Sequence, residues 1–326
     1  MTAAAANFAP WQQRAYAHAT DALDNGRMGH ALLVCGPARL GKLAVAQRLA
    51  QRLLCRDRGA DGEPCGRCRS CQLFVAGSHP DYSLVSFVSN KEGTRLRTEI
   101  VIEQIRDLSA RLALTPQYGG AQVAIIDPAD AVNHAACNAL LKTLEEPQPG
   151  RFLWLVAADP GRLPATIRSR CQKLEFRLPA PAEASAWLQA QGHDAATSAE
   201  ALEAARGHPG LAADWLRDGG LALRREVAAD LVQLARGQAS AAATAQRWVA
   251  DEHAVLRLRF ATDLALHEAS GLAATRLTDA GRTRRLAAWF DAANRTRALL
   301  RTTIRADLAV AELLLAWQSD AVRATE

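Results

Sequence analysis

Apolar residues in the first half of the chain follow two alternating rhythms. HALLVCG at 30–36, QVAIID at 122–127 and RFLWLVAAD at 151–159 are short apolar runs closed by a glycine or an acid. Such runs mark strands buried on both faces of a parallel sheet. Between them the spacing is helical: Leu43, Ala46, Leu49, Ala50, Leu53 and Leu54 recur after the first run, and Val101, Ile105, Leu108 and Leu112 form one stripe over 100–112. A helix over 11–27 follows Pro10 and ends near Gly26 and Gly29, DYSLVSFV at 81–88 predicts a strand, 131–145 a helix, and a last strand follows RLPATIRSR. Strands alternating with helices predict an open α/β sheet, with a crevice at the strands' C-terminal ends.

After Phe176 the pattern changes. LPAPAEA at 178–184 is a proline-punctuated hinge, and beyond it nearly every segment has helical period, interrupted at RGHPG (206–210) and DGG (218–220). Residues 221–326 predict a bundle of four or five helices with Trp248, Trp289 and Trp317 in its core. Three parts are expected: an α/β domain over 1–177, a small helical unit over 178–218 and a helical domain over 219–326.

Composition narrows the class. The 326 residues suffice for two or three cores. The chain has no 18-residue uncharged apolar run and no basic-then-apolar N-terminus, so neither a transmembrane helix nor a secretory signal is expected and the predicted location is cytoplasmic, with no membrane partner. The net charge of +5 rests on arginine, since lysine occurs only at 42, 91, 142 and 173. It is compatible with nucleic acid or an acidic partner, and equally with a GC-rich coding sequence, so it names no partner. A stripe of Arg297, Arg301 and Arg305, with Arg282, Arg284 and Arg285 upstream, is either a DNA contact or a solvated or subunit-facing helix side.

Seven cysteines without an export signal point to metal or free thiols rather than disulfides. Cys55, Cys65, Cys68 and Cys71 bring four thiolates within reach of one tetrahedral ion, inside an insertion over 55–79. Structural Zn²⁺ is the reading, with an iron–sulfur cluster and free thiols as alternatives. A ferredoxin run needs a further cysteine at 75, where the chain has Val75. Cys35 and Cys137, in apolar stretches, are expected in the core.

CGPARLGKL at 35–43 is one residue short of a phosphate-binding loop. Gly36, Gly41 and Lys42 are in place, but the hydroxyl that holds Mg²⁺ is replaced by Leu43. Asp127 stands where a Mg²⁺-binding acid belongs, yet the next position is Pro128 instead of a carboxylate. Asp130 offers charge or the N-cap of the next helix. The third strand ends in Ala157, Ala158 and Asp159, without a hydroxyl or amide to sense a γ-phosphate. The loop therefore either only turns the chain or retains nucleotide without hydrolysis, and ATP/Mg²⁺ is not expected in this site. Arg168 and Arg170 precede the last strand, as phosphate-directed cations or as ordinary ion-pairing residues.

AACNALLKTLEEP (135–147) and TIRSRC (166–171), together with the HALLVCG strand and the four-cysteine insertion, resemble the clamp-loader branch of the AAA+ ATPases. The resemblance covers 1–215 by motif and the rest by layout. It implies a RecA-like AAA+ domain with a zinc-binding insertion, followed by a small helical lid and an all-α helical-bundle collar. It implies an ATPase-inactive stator whose Arg170 reaches the ATP of a neighbouring subunit. The implied partners are the loader's ATPase (gamma/tau) subunits and its clamp-opening delta subunit, with the sliding clamp and primed DNA met through the complex. The alternative is an ATP-hydrolysing motor subunit of such a loader.

Overall fold

The computed structural model describes residues 8–89, 97–118, 120–274, 280–300 and 302–322. They divide into two compact units, Met1–Leu202 with Gly207–Leu211, and Glu203–Arg206 with Ala212–Glu326.

The first unit is built on β1 (Ala31–Cys35), β2 (Tyr82–Val85), β3 (Gln122–Ile126), β4 (Arg151–Ala157) and β5 (Gln172–Glu175). They form one sheet in the order β2-β3-β4-β1-β5, with every pairing parallel. β1 lies between β4 and β5, so its C-terminal end opens at the place in the sheet where chain order reverses. The three continuous apolar runs became the three inner strands. β2 stops at Val85, short of the 81–88 expected. The last strand pairs only over Gln172–Glu175 at the sheet edge, with Leu174 alone facing inward.

Alternation along each strand divides the core into two layers. Leu32, Val34, Val123, Ile125, Trp154 and Val156 meet α1 (Pro10–Asp24) and α2 (Lys42–Leu54) through Trp11, Val45, Leu49 and Ala50. Leu33, Cys35, Ala124, Ile126, Leu153 and Leu155 meet α4 (Ile102–Leu112) and α5 (His134–Glu145) through Ile105, Leu108, Cys137, Leu140 and Leu144. Most are almost fully enclosed, and each large aliphatic buried this way contributes about 1.5–3 kcal/mol. Between α2 and β2 the chain makes a short α3 (Arg69–Val75), and between β4 and β5 a single turn α6 (Ala165–Arg168). Beyond β5 come α7 (Pro181–Ala190), α8 (Ala195–Ala204) and α9 (Pro209–Arg217).

The second unit takes in most of α9 and contains α10 (Gly220–Ala235), α11 (Ala241–Trp248), α12 (Ala254–Ala274), α13 (Ala280–Leu299) and α14 (Ala306–Val322). Trp248 and Trp289 are buried. Trp317 is half-buried, meets Trp289 edge-on at 4.8 Å, and donates its indole N–H to the Leu231 carbonyl at 3.0 Å. The other two of these three indole N–H groups also have partners: Trp248 bonds Asp230 and Trp289 bonds the Leu313 carbonyl.

Candidate functional site

The loop after β1 occupies the expected position, and its backbone shows why glycine stands at both ends. Gly36 has φ +130°, and a Cβ there would fall 2.1 Å from the Phe176 carbonyl oxygen, because Phe176 continues β5 alongside and donates its N–H to Cys35. Gly41 takes φ +77° as the N-cap of α2.

Lys42 is buried, and its Nζ donates to the carbonyls of Gly36 and Pro37 at 2.8 and 2.6 Å. Burial lowers its pKa, while Asp127 and Asp130 pull it back up. Asp127 is in turn raised by burial and lowered by Lys42. Leu43 is half-buried and packs against the α1/α2 layer of the core, which presents hydrocarbon where a Mg²⁺ ligand would stand.

Asp130 does not cap the following helix. It sits in a 3-10 turn over Ala129–Ala131, and its Oδ2 accepts the N–H groups of Ala158 and Asp159 at 3.1 and 2.8 Å, closing the end of β4. The cap of α5 is Asn133, whose Oδ1 accepts from Ala136 N–H at 3.0 Å. Amide side chains cap as well as carboxylates, and the break in backbone direction falls three residues later than the sequence pattern placed it. Asp159 accepts the Gly161 N–H and so is taken up by its own turn.

The loop is also held from outside by residues that carried no motif. Trp11 Nε1 and Gln12 Nε2 both donate to the Leu40 carbonyl at 3.1 Å. His208 Nδ1 accepts from Leu211 N–H, which leaves Nε2 protonated to donate to the Ala38 carbonyl at 2.8 Å. A Cβ on Gly210 would lie 1.9 Å from the Arg39 carbonyl oxygen. The Gly-His-Pro-Gly run at 207–210 reads in sequence only as a helix break, and the one signal of a further role was the histidine between its glycines.

Arg168 is half-buried at the end of α6, while Arg170 is 36 % exposed. Arg170 Nη1 donates to the Thr166 carbonyl at 2.7 Å, and Nη2 pairs with Glu145 at 2.6 Å. Cys171 beside it is buried in the α4/α5 layer of the core, where burial raises its pKa to about 11.

Cys55, Cys65, Cys68 and Cys71 converge with their sulfurs within 4.8 Å of one another. Cys55 lies 3.7 Å from Cys65 and 3.9 Å from Cys68, near the edge of about 3.8 Å that four sulfurs at about 2.3 Å from one ion would make. Successive backbone N–H groups point at sulfur: Cys65 to Cys55, Cys68 to Cys65 and Cys71 to Cys68, at 3.3 to 3.4 Å. Burial pushes the Cys68 thiol up, but the N–H groups of Cys71 and Arg56 and the neighbouring thiols outweigh it and bring it to about 6. This donor set can hold a metal ion.

The insertion is tied down on both sides of the cluster. Glu63 accepts from Tyr16 of α1 and from Arg48 and Arg52 of α2. Ser70 Oγ donates to the Leu54 carbonyl and meets His79 Nε2 at 2.7 Å, His79 Nδ1 accepts the Asp81 N–H, and the Asp81 carboxylate accepts the N–H groups of Gln117 and Tyr118. Ser70, His79 and Asp81 are all buried. The serine proton is committed to Leu54, so this Ser-His-Asp set is a structural brace.

In the C-terminal arginine stripe, Arg305 pairs with Asp307, Arg282 pairs with Glu268, Arg297 is half-buried, and Arg301 lies outside the described residues.

The family model described as DNA polymerase III, delta subunit matches residues 11–180, from α1 to the hinge after β5. The DNA polymerase III subunit delta′ of Pseudomonas aeruginosa is 37% identical over 245 residues, 74% of this chain and 72% of that protein. The chain belongs to the DNA polymerase III delta′ subunit family. The delta′ subunit of Haemophilus influenzae is 35% identical over 66% of this chain and 64% of its own length, just under two thirds. Among solved structures, a DNA polymerase III gamma subunit-related protein of Thermotoga maritima is 15% identical and covers 93% of this chain and 98% of its own, with a TM-score of 0.47, too loose a likeness to argue from. In this delta′ family member the matched region contains the degenerate loop, the four cysteines and the Ser169-Arg170-Cys171 motif.

Proposed function

We propose that the chain is a catalytically silent subunit of a sliding-clamp loader, which lends Arg170 to the ATP of a neighbouring motor subunit. The observation that carries this reading is a contrast within one unit. The chain's own loop has its lysine bonded to its own carbonyls and a leucine in place of the Mg²⁺ ligand, while the arginine of the Ser-Arg-Cys motif stands at the surface. A site that hydrolyses a phosphoanhydride needs a positioned metal and charge at the transferring group. Leu43 removes the Mg²⁺ ligand and Pro128 a carboxylate that could orient water, and a guanidinium supplied from outside is what an active neighbour would use.

In this reading the AAA+ unit over 1–177, a lid over 178–218 and a collar over 219–326 let the chain close one end of a ring of ATPase subunits, beside the subunit that opens the clamp. Loading onto primed DNA follows through the complex, in the cytoplasm. No helix among the described residues is long and apolar enough to cross a membrane. Cys55, Cys65, Cys68 and Cys71 would hold Zn²⁺ as a structural ion, which would fix the insertion to α2. Gly36, Gly41, Lys42 and Asp127 would form a vestigial nucleotide site.

The test is ATP hydrolysis by the motor subunits reconstituted with this chain, wild type against Arg170→Ala. With the assembly intact, a loss on the order of 10³-fold is expected at the one ATP site that Arg170 serves, as for removal of a guanidinium from a transferring phosphoryl group.

A further inference from the structure

Glu145 closes α5 in the LLKTLEEP run, and neither the degenerate loop nor the metal cluster gives it a role. Its carboxylate pairs with Arg170 Nη2 at 2.6 Å, while Nη1 of the same guanidinium is bonded to the Thr166 carbonyl at 2.7 Å. We propose that Glu145 is a positioning residue for Arg170, which fixes the guanidinium so that its remaining N–H groups face a phosphate brought by a neighbouring subunit. The proposal rests on the reading of Arg170 as a residue that acts in trans.

A guanidinium carries five N–H groups in a fixed plane. Thr166 takes one from Nη1 and Glu145 one from Nη2, which leaves the Nε–H and one on each Nη for an incoming anion. The two anchors sit on elements that cannot drift apart, because Leu140 and Leu144 of α5 pack in one core cluster with Ile167 and Cys171, which flank Arg170. A long arginine at the surface otherwise samples many rotamers, and a reacting group displaced by about 1 Å can cost about 10²-fold in rate. Arg170 is 36 % and Glu145 48 % exposed, so the pair faces solvent and meets a partner without unfolding anything. A carboxylate beside a phosphate-directed arginine would also weaken its charge. A latch of that kind is the competing reading, and the two differ in sign.

The experiment uses the reconstituted loader with ATP, comparing wild type, Glu145→Ala, Glu145→Gln, Arg170→Ala and the Glu145→Ala/Arg170→Ala pair. Glu145→Ala should lower kcat about tenfold with KM for ATP nearly unchanged. Glu145→Gln keeps an acceptor oxygen for Nη2 and should recover most of that loss. In the Arg170→Ala background, Glu145→Ala should cost nothing more, because the group it aims is gone. An unchanged or raised kcat in Glu145→Ala overturns the proposal, the raised rate identifying a latch. An equal loss on top of Arg170→Ala also overturns it, showing that Glu145 acts elsewhere. If Arg170→Ala itself leaves the rate intact, the reading of Arg170 fails first, and the positioning role goes with it.

Discussion

Lys42 bonds the carbonyl of Gly36, six residues back along its own loop, at 2.8 Å. A second bond ties the same ammonium to the Pro37 carbonyl, so the lysine holds its own loop together. Lys42→Ala should therefore leave the ATPase rate of the assembled loader at no less than about half of wild type, while the isolated chain shows no hydrolysis that depends on Lys42. Hydrolysis by the isolated chain that vanishes in Lys42→Ala would mean the site is active.

Gly36 cannot accept a side chain. At φ +130° a Cβ would overlap the Phe176 carbonyl, a backbone atom of the adjoining strand that has no room to yield. Gly36→Ala should destabilise the α/β unit by at least about 2 kcal/mol through backbone strain and the displaced edge strand. Denaturant unfolding at unchanged slope checks this. Gly120→Ala, at φ +122° but with open space around it, is the control and should cost less.

Removing the metal should loosen the insertion. Four sulfurs held close together without an ion repel once ionised, and Cys68 ionises readily, at about 6. We expect one zinc per chain by elemental analysis. We also expect chelation, or Cys68→Ser, to lower the stability of the α/β unit by several kcal/mol, since binding free energy at a structural site is folding free energy. A fully reduced, metal-free chain with the same melting curve would remove the metal from the account.

Acid should weaken the same region through His79. Burial lowers its pKa below the ordinary 6.5, so it is neutral in the folded chain and its Nδ1 accepts from Asp81. The unfolded chain then binds a proton that the folded chain refuses. Stability from this group is present above about pH 6.5 and is lost as pH falls through the folded value. A His79→Gln variant should show a flatter stability profile between pH 7 and 5 than wild type. An equal slope in both would place the titrating group elsewhere.

The sheet was legible because its inner strands are unmixed apolar runs, and only a doubly covered parallel strand needs that composition. Spacing also carried the four cysteines, since tetrahedral ligation constrains separation along the chain. What escaped was whatever depends on distant pairs. Arg170 stood out by its motif, but Glu145 lies on a different element and nothing in the sequence pairs the two. His208 reaches Ala38 across most of the α/β unit's length in sequence, and its glycine neighbours masked it as a turn. Asp130 and Asn133 are both plausible caps by residue type. Only the backbone's turning point decides between them, and hydrophobic period does not locate that to a residue.

We propose that this delta′ family member is silent in its own site and acts through Arg170 on another. The measurement that meets it directly is clamp-stimulated ATP hydrolysis by a loader assembled with Arg170→Ala, with assembly verified separately. In an intact complex, a fall on the order of 10³-fold at the ATP site beside this chain is the predicted result. A rate equal to wild type in an intact complex would overturn this role and leave Arg170 a surface partner of Glu145.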